Sequence, residues 1–143
     1  MDSILTYRGT VYPWHCDHMG HMNVMWYVGK FDEATWHLLA QLGLPPSRLR
    51  SERRAMVAVS QTIEYKSELL AGDILSIRST LHHIGNTSVR FRHEMFNEET
   101  GALSAVTDLV GVQIDMTTRQ PQRLPDDVRT RFPLTEKEVP ETV

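Results

Sequence analysis

The spacing of apolar residues predicts one long helix early in the chain. Within residues 22–42 they recur every three or four positions, which is the period of one helix face. Gly43 and then Pro45-Pro46 follow, and both residue types end helices. Because the other faces of this segment are also largely apolar, we expect the helix to be mostly enclosed, with Gly29 allowing close packing.

After a basic connector, the apolar residues change to a period of two, which predicts strands. Residues 57–65 alternate between apolar and polar side chains, as in a strand with one buried face. Three more strand-like runs, separated by turn signals that contain glycine, follow at residues 74–83, 87–96 and 103–114. A short strand is predicted at residues 3–11. We expect an α+β fold in which a meander of four antiparallel strands, with the first strand, wraps one long central helix.

The chain has no internal repeat, low-complexity tract or linker, so we expect residues 1–143 to form one domain. Residues 121–143 are polar and rich in proline, which predicts a tail on the surface with at most a short helix at residues 126–131. A single sheet around one helix leaves long strand edges open. Joining two sheets edge to edge closes such edges, and the pattern therefore favours a homo-oligomer.

Composition narrows the possible partners and the compartment. The net charge is −3 and 23% of residues are charged, so no broad basic field is available for nucleic acid or an anionic membrane. No apolar run is long enough to cross a bilayer. The one cysteine, Cys16, cannot form an internal disulfide, and we expect a reducing compartment, the cytoplasm.

Titratable side chains are concentrated in residues 15–23, immediately before the predicted helix. Asp17 precedes the free N–H groups and the positive end of the helix dipole. Such N–H groups can hold a thioester oxygen while the carboxylate attacks the carbonyl carbon or activates water. The segment therefore predicts a hydrolytic site with Asp17 at its centre.

Other roles for the same residues remain open at this point. His15, His18 and His21 lie at three-residue intervals and could bind a metal, although the HExxH pattern is absent and no second ligand cluster exists. Cys16 could be a nucleophile activated by its neighbouring histidines, although inert buried thiols are far commoner. Asp17 and Asn23 could simply cap the helix.

The block Asp17-His18-Met19-Gly20-His21-Met22-Asn23, followed by Tyr27, resembles the D-x-x-G-H-x-N-x-x-x-Y signature of hot-dog thioesterases. These are the enzymes related to 4-hydroxybenzoyl-CoA thioesterase and the acyl-ACP thioesterases. The resemblance covers residues 6–125 and continues through Glu64-Tyr65, Gly72-Asp73-x-Leu75 and Gly85-x-x-Ser88. It implies a hot-dog fold, an antiparallel sheet wrapped around one central helix, which agrees with the plan inferred from the hydrophobic pattern.

The resemblance also implies roles for individual residues. Asp17 would be the nucleophile or general base, and the backbone N–H of Val24 would polarise the thioester carbonyl. His21 and Asn23 would support them by shaping the site and orienting water or the carbonyl. The branch that includes 4-hydroxybenzoyl-CoA thioesterase usually has an aliphatic residue at the position of His21, so its aromatic substrate is not carried over.

The substrate implied by the resemblance is an acyl-CoA, hydrolysed to a free acid and coenzyme A without a metal or other cofactor. Trp26, Tyr27 and Phe31 are expected to shape the acyl pocket. The phosphates of coenzyme A would meet arginines, for which Arg90 and Arg92 are preferred among candidates that include Arg48, Arg50, Arg53 and Arg54. The active sites would lie at the interface of a homodimer or homotetramer.

Alternatives at the level of function are a non-catalytic acyl-CoA-binding module and a dehydratase-like hot-dog protein. The chain also looks somewhat like thioesterases that act on betainyl-CoA. Its aromatic residues could hold a quaternary ammonium group by cation–π attraction, or they could be core packing.

Overall fold

The computed structural model describes residues 2–131. Its elements are β1 (Ile4–Thr10), α1 (Val24–Gln41), α2 (Pro46–Ser51), β2 (Arg54–Tyr65), β3 (Ile74–Ile84), β4 (Ser88–Asn97), β5 (Leu103–Asp115) and α3 (Asp126–Arg131). A single 3-10 turn, Pro13–His15, precedes α1. No helix within residues 2–131 is long and apolar enough to cross a membrane.

The strands form one five-stranded antiparallel sheet in the order β1-β3-β4-β5-β2. The expected α+β fold is confirmed, and β3, β4 and β5 form a meander as predicted. The predicted position of β2 is wrong, because β2 pairs with β5 at the far edge of the sheet and not with β3. The periodicity of a strand indicates which face is buried, but it carries no information about which neighbour the strand pairs with.

The connector between β2 and β3, residues 66–73, explains how the chain moves from one side of the sheet to the other. It runs past the start of β5, where Lys66 N–H donates to the carbonyl of Ser104 at 2.8 Å. Further along, the carbonyl of Leu69 accepts a hydrogen bond from the N–H of Met22, just before α1. The connector ends beside Val11, whose N–H donates to the carbonyl of Asp73 just after β1. The connector is therefore placed against the segment that precedes the helix.

The helix α1 packs on the sheet through one face only. Its buried apolar side chains belong to two core clusters, and include Tyr27, Phe31, Ala34, Leu38 and Leu39. On another face Met25, Val28 and Trp36 stay exposed, so the expectation of an enclosed helix is wrong for the single chain. Gly29 has no close neighbour, since an added Cβ would meet only the Trp26 ring at 4.0 Å.

A buried chain of hydrogen bonds ties α1 to β1, β3 and β4. Thr6 Oγ1 lies 2.7 Å from Ser79 Oγ, which lies 2.6 Å from Nδ1 of His93. Nε2 of His93 lies 2.9 Å from Oγ1 of Thr35 on the helix. His93 is fully buried beside Phe31, and desolvation lowers the pKa of the imidazole to about 4.

Residues 121–131 lie against the domain as a surface segment that also contributes two side chains to the core. Leu124 and Val128 are buried in the core cluster at the C-terminal end of α1. Arg48 of α2 holds α3 from outside by donating to both carboxylate oxygens of Asp127, at 2.8 and 2.9 Å. The short helix predicted at residues 126–131 is present, and the rest of the expected tail, residues 132–143, lies outside the described residues.

Candidate active site

The loop of residues 16–22, called the Asp17 loop, is closed by a β-bridge between its first and last residues. Gly20 N–H donates to the carbonyl of Asp17 at 3.0 Å, and Gly20 adopts a φ of +90°, which a side chain would strain. Met22 anchors the loop, because it is buried and donates its N–H to the carbonyl of Leu69 at 2.8 Å. Through Met22, the loop is thus attached to the core immediately before α1 begins.

The carboxylate of Asp17 is held by two hydrogen bonds. Oδ1 accepts from the backbone N–H of Met19 at 2.9 Å, and Oδ2 accepts from the side-chain amide of Asn23 at 3.2 Å. Partial desolvation raises the pKa of Asp17, but these two bonds and the nearby His21 and His18 outweigh it. The pKa of Asp17 therefore lies below its ordinary value, and the group is an anion at neutral pH.

Asn23 links this carboxylate to the helix as its N-cap. Its Oδ1 accepts from the N–H of Met25 at 2.9 Å, while its carbonyl accepts from the N–H of Trp26 at 2.9 Å. Within residues 2–131 the remaining N–H of the first turn, that of Val24, has no hydrogen-bond partner. One open donor at the positive end of the helix dipole therefore lies next to the residue that holds Asp17.

The imidazole of His21 reaches the β2–β3 connector. Its Nε2 lies 3.8 Å from a carboxylate oxygen of Glu68. It lines a pocket of about 320 Å³, called here the tyrosine pocket, with Met22, Val24, Tyr27, Tyr65, Lys66, Ser67 and Glu68. His21 therefore borders a space beside the helix start, where an acyl group could lie next to the open N–H of Val24.

The other histidines of this segment do not converge with His21. His15 is buried, accepts from Tyr12 N–H through Nδ1 and packs against Trp26 with 4.5 Å between ring centroids. Within residues 2–131 no group of three or more metal-ligating side chains lies close enough together to hold an ion. The thiol of Cys16 is half-buried, and its sulfur lies 3.8 Å from the carbonyl oxygen of Tyr12.

The three predicted acyl-pocket residues have different positions. Tyr27 lines the tyrosine pocket and meets Tyr65 edge to face, with ring centroids 5.2 Å apart. Trp26 is half-buried and packs on His15, on another face of the helix. Phe31 is fully buried in the core. Of the three, only Tyr27 borders the space beside Val24.

Arg90 and Arg92 lie on β4, on the face of the sheet turned away from α1. The intervening Phe91 and the next residue, His93, point to the helix side, and side chains alternate along a strand. Arg92 donates to both oxygens of Asp108, each at 3.0 Å. The structure therefore does not bring these two arginines to the Asp17 loop.

A long cleft between α1 and β2 was not predicted. This α1–β2 cleft has a volume of about 390 Å³ and a mostly apolar wall that includes Met25, Val28, Gly29, Asp32, Thr35, Trp36, Met56, Val57 and Gln61. Its wall begins at Met25, in the first turn of the helix and one residue after Val24. The second apolar face of residues 22–42 was the available signal, because a helix face that is apolar and not covered by its own sheet borders either a ligand or a partner.

A five-stranded antiparallel sheet around one long helix, with a carboxylate fixed at the N-terminus of that helix, defines a hot-dog protein of the thioesterase type. The family model of the thioesterase-like superfamily matches residues 11–132. The chain belongs to this superfamily, and it is a thioester hydrolase.

Individual relatives agree with this assignment. The chain is 27% identical, over 106 residues, to the Escherichia coli acyl-CoA thioester hydrolase YbgC, a match that covers 74% of this chain and 78% of YbgC. The fold of SAV2348 from Staphylococcus aureus, solved in complex with CoA, superposes with a TM-score of 0.84 at 20% identity and covers 92% of this chain and 83% of that one. Slr0204 from Synechocystis, a 1,4-dihydroxy-2-naphthoyl-CoA thioesterase, gives a TM-score of 0.78 at 22% identity, with coverage of 88% and 93%.

Proposed function

We propose that this protein hydrolyses an acyl-CoA to a free carboxylic acid and coenzyme A, with Asp17 as the reacting carboxylate. The observation that carries the proposal is the link from Asp17 through Asn23 to the helix start, where the N–H of Val24 is open. The similarity to YbgC supports an acyl-CoA substrate. A carboxylate and a hydrogen-bond donor on opposite sides of a thioester carbonyl are the groups that the reaction needs.

The carbonyl oxygen of the thioester accepts the N–H of Val24, and the helix dipole stabilises the negative charge that develops on it. In one route Asp17 attacks the carbonyl carbon, the C–S bond breaks, the thiolate leaves, and water hydrolyses the resulting mixed anhydride. In the other route Asp17 takes a proton from water as the water oxygen attacks, and the proton passes to the departing thiolate. Both routes use ionised Asp17, which its lowered pKa favours.

The acyl group fits the tyrosine pocket, which borders Val24 and is lined by Tyr27 and Tyr65. Two aromatic rings and the carboxylate of Glu68 also suit a positively charged acyl group, because the ring faces and the anion both attract a cation. The ammonium of Lys66, which also lines this pocket, is paired with Glu64 at 2.9 Å. Betainyl-CoA, whose acyl group carries a quaternary ammonium, is therefore the specific substrate we propose to test first.

The long unpaired edge of β2 supports a homodimer. Only β5 pairs with β2 among the described strands, and Val59 in the middle of that edge is 55% exposed. Pairing two copies through β2 buries this edge and places one wall of the α1–β2 cleft next to the partner. The active sites then lie beside the interface. The expected cytoplasmic location stays a prediction.

Thiol release from a panel of CoA esters tests the reaction class and the role of Asp17 together. The panel covers short, branched, aromatic, long-chain and betainyl esters, with free coenzyme A detected by disulfide exchange. We expect wild type to release thiol from at least one ester, and Asp17→Asn to lower kcat by roughly a hundredfold or more. Asparagine retains an oxygen for Met19 N–H and loses the bond from Asn23, while the backbone bonds from Asp17 N–H to His21 and from Gly20 N–H to Asp17 remain to hold the loop.

Asp115→Asn is the matched control. Asp115 also accepts backbone N–H bonds in a turn, at 2.7 Å from Thr117 and 3.1 Å from Thr118, and these bonds lower its pKa as well. It lies at the C-terminal end of β5, so its substitution should leave kcat unchanged; kcat and not KM is the readout, because the charge of Asp115 also acts on Arg53. Normal turnover by Asp17→Asn would exclude the mechanism. Tight binding of CoA esters without any release would favour a binding module, and hydration of an enoyl-CoA would favour a dehydratase.

A further inference from the structure

A second pocket adjoins the far end of the α1–β2 cleft. The two share Trp36 and Met56 in their walls. The second pocket, called here the arginine pocket, has a volume of about 380 Å³ and is also lined by Pro46, Leu49, Arg50, Arg53, Arg54, Ala55 and Met116. The cleft, whose wall begins at Met25, is therefore followed by a pocket whose lining includes three arginines.

The three arginines differ in how far their donors are used. Arg54 donates to Glu52 at 2.7 Å and to the carbonyl of Arg123 at 3.0 Å. The side chain of Arg53 makes one bond, from Nε to the hydroxyl of Thr117 at 3.2 Å. Within residues 2–131 the side chain of Arg50 makes no hydrogen bond or ion pair. Arg50 and Arg53 thus retain most of their five donors for an external anion.

The backbone of Arg53 takes the left-handed conformation that commonly follows the end of a helix, here α2. Its φ is +53°, the left-handed conformation that residues other than glycine rarely adopt. Two backbone bonds hold it there, from Arg53 N–H to the carbonyl of Arg50 at 3.2 Å and from Met116 N–H to the carbonyl of Arg53 at 3.0 Å. The turn keeps Arg50 and Arg53 on the same short segment in the wall of the pocket.

The length of the cleft matches one part of a CoA thioester. From Met25 to Trp36 the helix rises about 16 Å, at 1.5 Å per residue. The pantetheine arm between the thioester sulfur and the diphosphate contains about twelve bonds, which span roughly 15 Å when extended. With the carbonyl at Val24, the diphosphate therefore reaches the arginine pocket, while the acyl group points into the tyrosine pocket.

We infer that Arg50 and Arg53 bind the phosphate groups of coenzyme A, with the pantetheine arm lying in the α1–β2 cleft. This inference rests on the proposed function, and it moves the phosphate site from Arg90 and Arg92 to the opposite face of the sheet. Guanidinium groups donate two parallel bonds to phosphate oxygens, and such charge-assisted bonds are among the strongest that side chains make.

Three esters of one acyl group test this assignment: the CoA ester, the dephospho-CoA ester and the pantetheine ester, which has no phosphate. For the CoA ester, Arg50→Ala and Arg53→Ala should each raise KM about tenfold or more, with kcat within about twofold of wild type. With the pantetheine ester, wild type and variants should converge on one KM. Arg78→Ala, which removes an exposed arginine of β3, is the charge-matched control.

Arg53→Gly separates phosphate binding from a structural role of the turn. Glycine adopts the left-handed conformation without strain, so the fold should be at least as stable, while KM for the CoA ester should still rise. Equal KM values for wild type and the arginine variants on the CoA ester would overturn the inference. The inference would also be overturned if the arginine variants raised KM for the pantetheine ester as much as for the CoA ester. A rise in KM for Arg92→Ala, with none for Arg50→Ala or Arg53→Ala, would overturn it too.

Direct binding distinguishes failure of this inference from failure of the proposed function. Calorimetry with coenzyme A and with pantetheine, on Asp17→Asn, needs no turnover. We expect coenzyme A to bind at least tenfold more tightly than pantetheine, and Arg50→Ala to remove that difference. If no ester is hydrolysed but this difference is present, the phosphate site stands and the hydrolysis is wrong. If esters are hydrolysed and the difference is absent, the phosphate site is wrong.

Discussion

Asn23 has two roles that different substitutions separate. It caps α1 through Met25 N–H, and it donates to the carboxylate of Asp17. Aspartate caps helices as well as asparagine does, but in Asn23→Asp a second carboxylate replaces the donor and repels Asp17. We expect Asn23→Asp to keep the stability of wild type, to lower kcat, and to shift the acid limb of kcat/KM to higher pH.

Asn23→Ala gives the complementary result. It removes both bonds, so the free energy of unfolding should fall by about 1 kcal/mol and kcat should fall as well. Urea unfolding and pH–rate profiles on the two variants provide the comparison. An unchanged pH profile in Asn23→Asp would mean that Asn23 serves the helix only.

Gly29 is the second residue with a specific prediction. It lies inside α1, it lines the cleft, and an added Cβ would make only an ordinary contact with Trp26. Gly29→Ala should therefore raise the free energy of unfolding by about 0.5–1 kcal/mol, because alanine favours the helix. A loss of stability, measured by urea unfolding, would mean that a partner chain approaches Gly29 closely.

A larger side chain at the same position tests the cleft. Gly29→Leu should raise KM for the CoA ester and for the pantetheine ester alike, since both place an arm beside α1. Ala40→Leu, at an exposed position of the same helix outside the cleft, is the matched control. If both leucine variants behave as wild type, the arm does not lie in the cleft.

At the scale of elements, the two edges of the sheet make different predictions. Val59 on β2 and Leu5 on β1 are both exposed apolar residues, at 55% and 44%. Lysine in a strand edge opposes pairing with another strand. We expect Val59→Lys to convert the protein to monomers in light scattering and to lower kcat, while Leu5→Lys should leave the oligomer intact. A Val59→Lys variant that keeps its oligomeric state would exclude β2 as the interface.

The five strands, α1 and α3 were predicted from local sequence, whereas α2 was taken as part of a basic connector and the pairing of β2 was wrong. The period-two pattern of residues 57–65 identified β2, but its pairing with β5 depends on the path of residues 66–73, whose contacts are long-range. The exposed face of α1 was likewise predicted to be enclosed, because what covers a helix face also depends on long-range contacts. A hydrophobic pattern shows that a face avoids water, and it does not show whether sheet, ligand or partner covers it.

For the candidate site, the sequence predicted which residues lie together, and their roles stay predictions. Asp17, Asn23 and Val24 lie within eight consecutive residues, so their proximity followed from sequence alone. Arg50 and Arg53 are brought to the end of the cleft by the turn between α2 and β2. Sequence reasoning had no means of ranking them above Arg90 and Arg92, because the choice depends on which face of the sheet each occupies.

At the scale of the whole molecule, His93 should make stability depend on pH. Its pKa is about 4 in the folded protein and 6.5 as the ordinary value, so the unfolded chain binds a proton first as the pH falls. The stabilisation is complete above pH 6.5 and is lost as the pH falls towards 4, by roughly 3 kcal/mol in all. Urea unfolding across this range measures the loss.

His93→Gln should remove the proton uptake of this one group. The slope of unfolding free energy against pH between 6.5 and 4 should then fall by up to about 1.4 kcal/mol per pH unit, which corresponds to one proton. His82→Gln, at an exposed position on β3, should retain the slope of wild type. If His93→Gln retains it too, His93 is not the group that titrates.

The buried chain through His93 has a further consequence, for spectroscopy. Thr35 donates its hydroxyl proton to the carbonyl of Phe31, so its oxygen accepts from Nε2–H of His93, and Nδ1 accepts from Ser79. The imidazole is thereby locked in one tautomer, with its proton shielded from solvent at the centre of the domain. A slowly exchanging imidazole N–H resonance would report the integrity of the folded core in the same sample in which thioester turnover is followed.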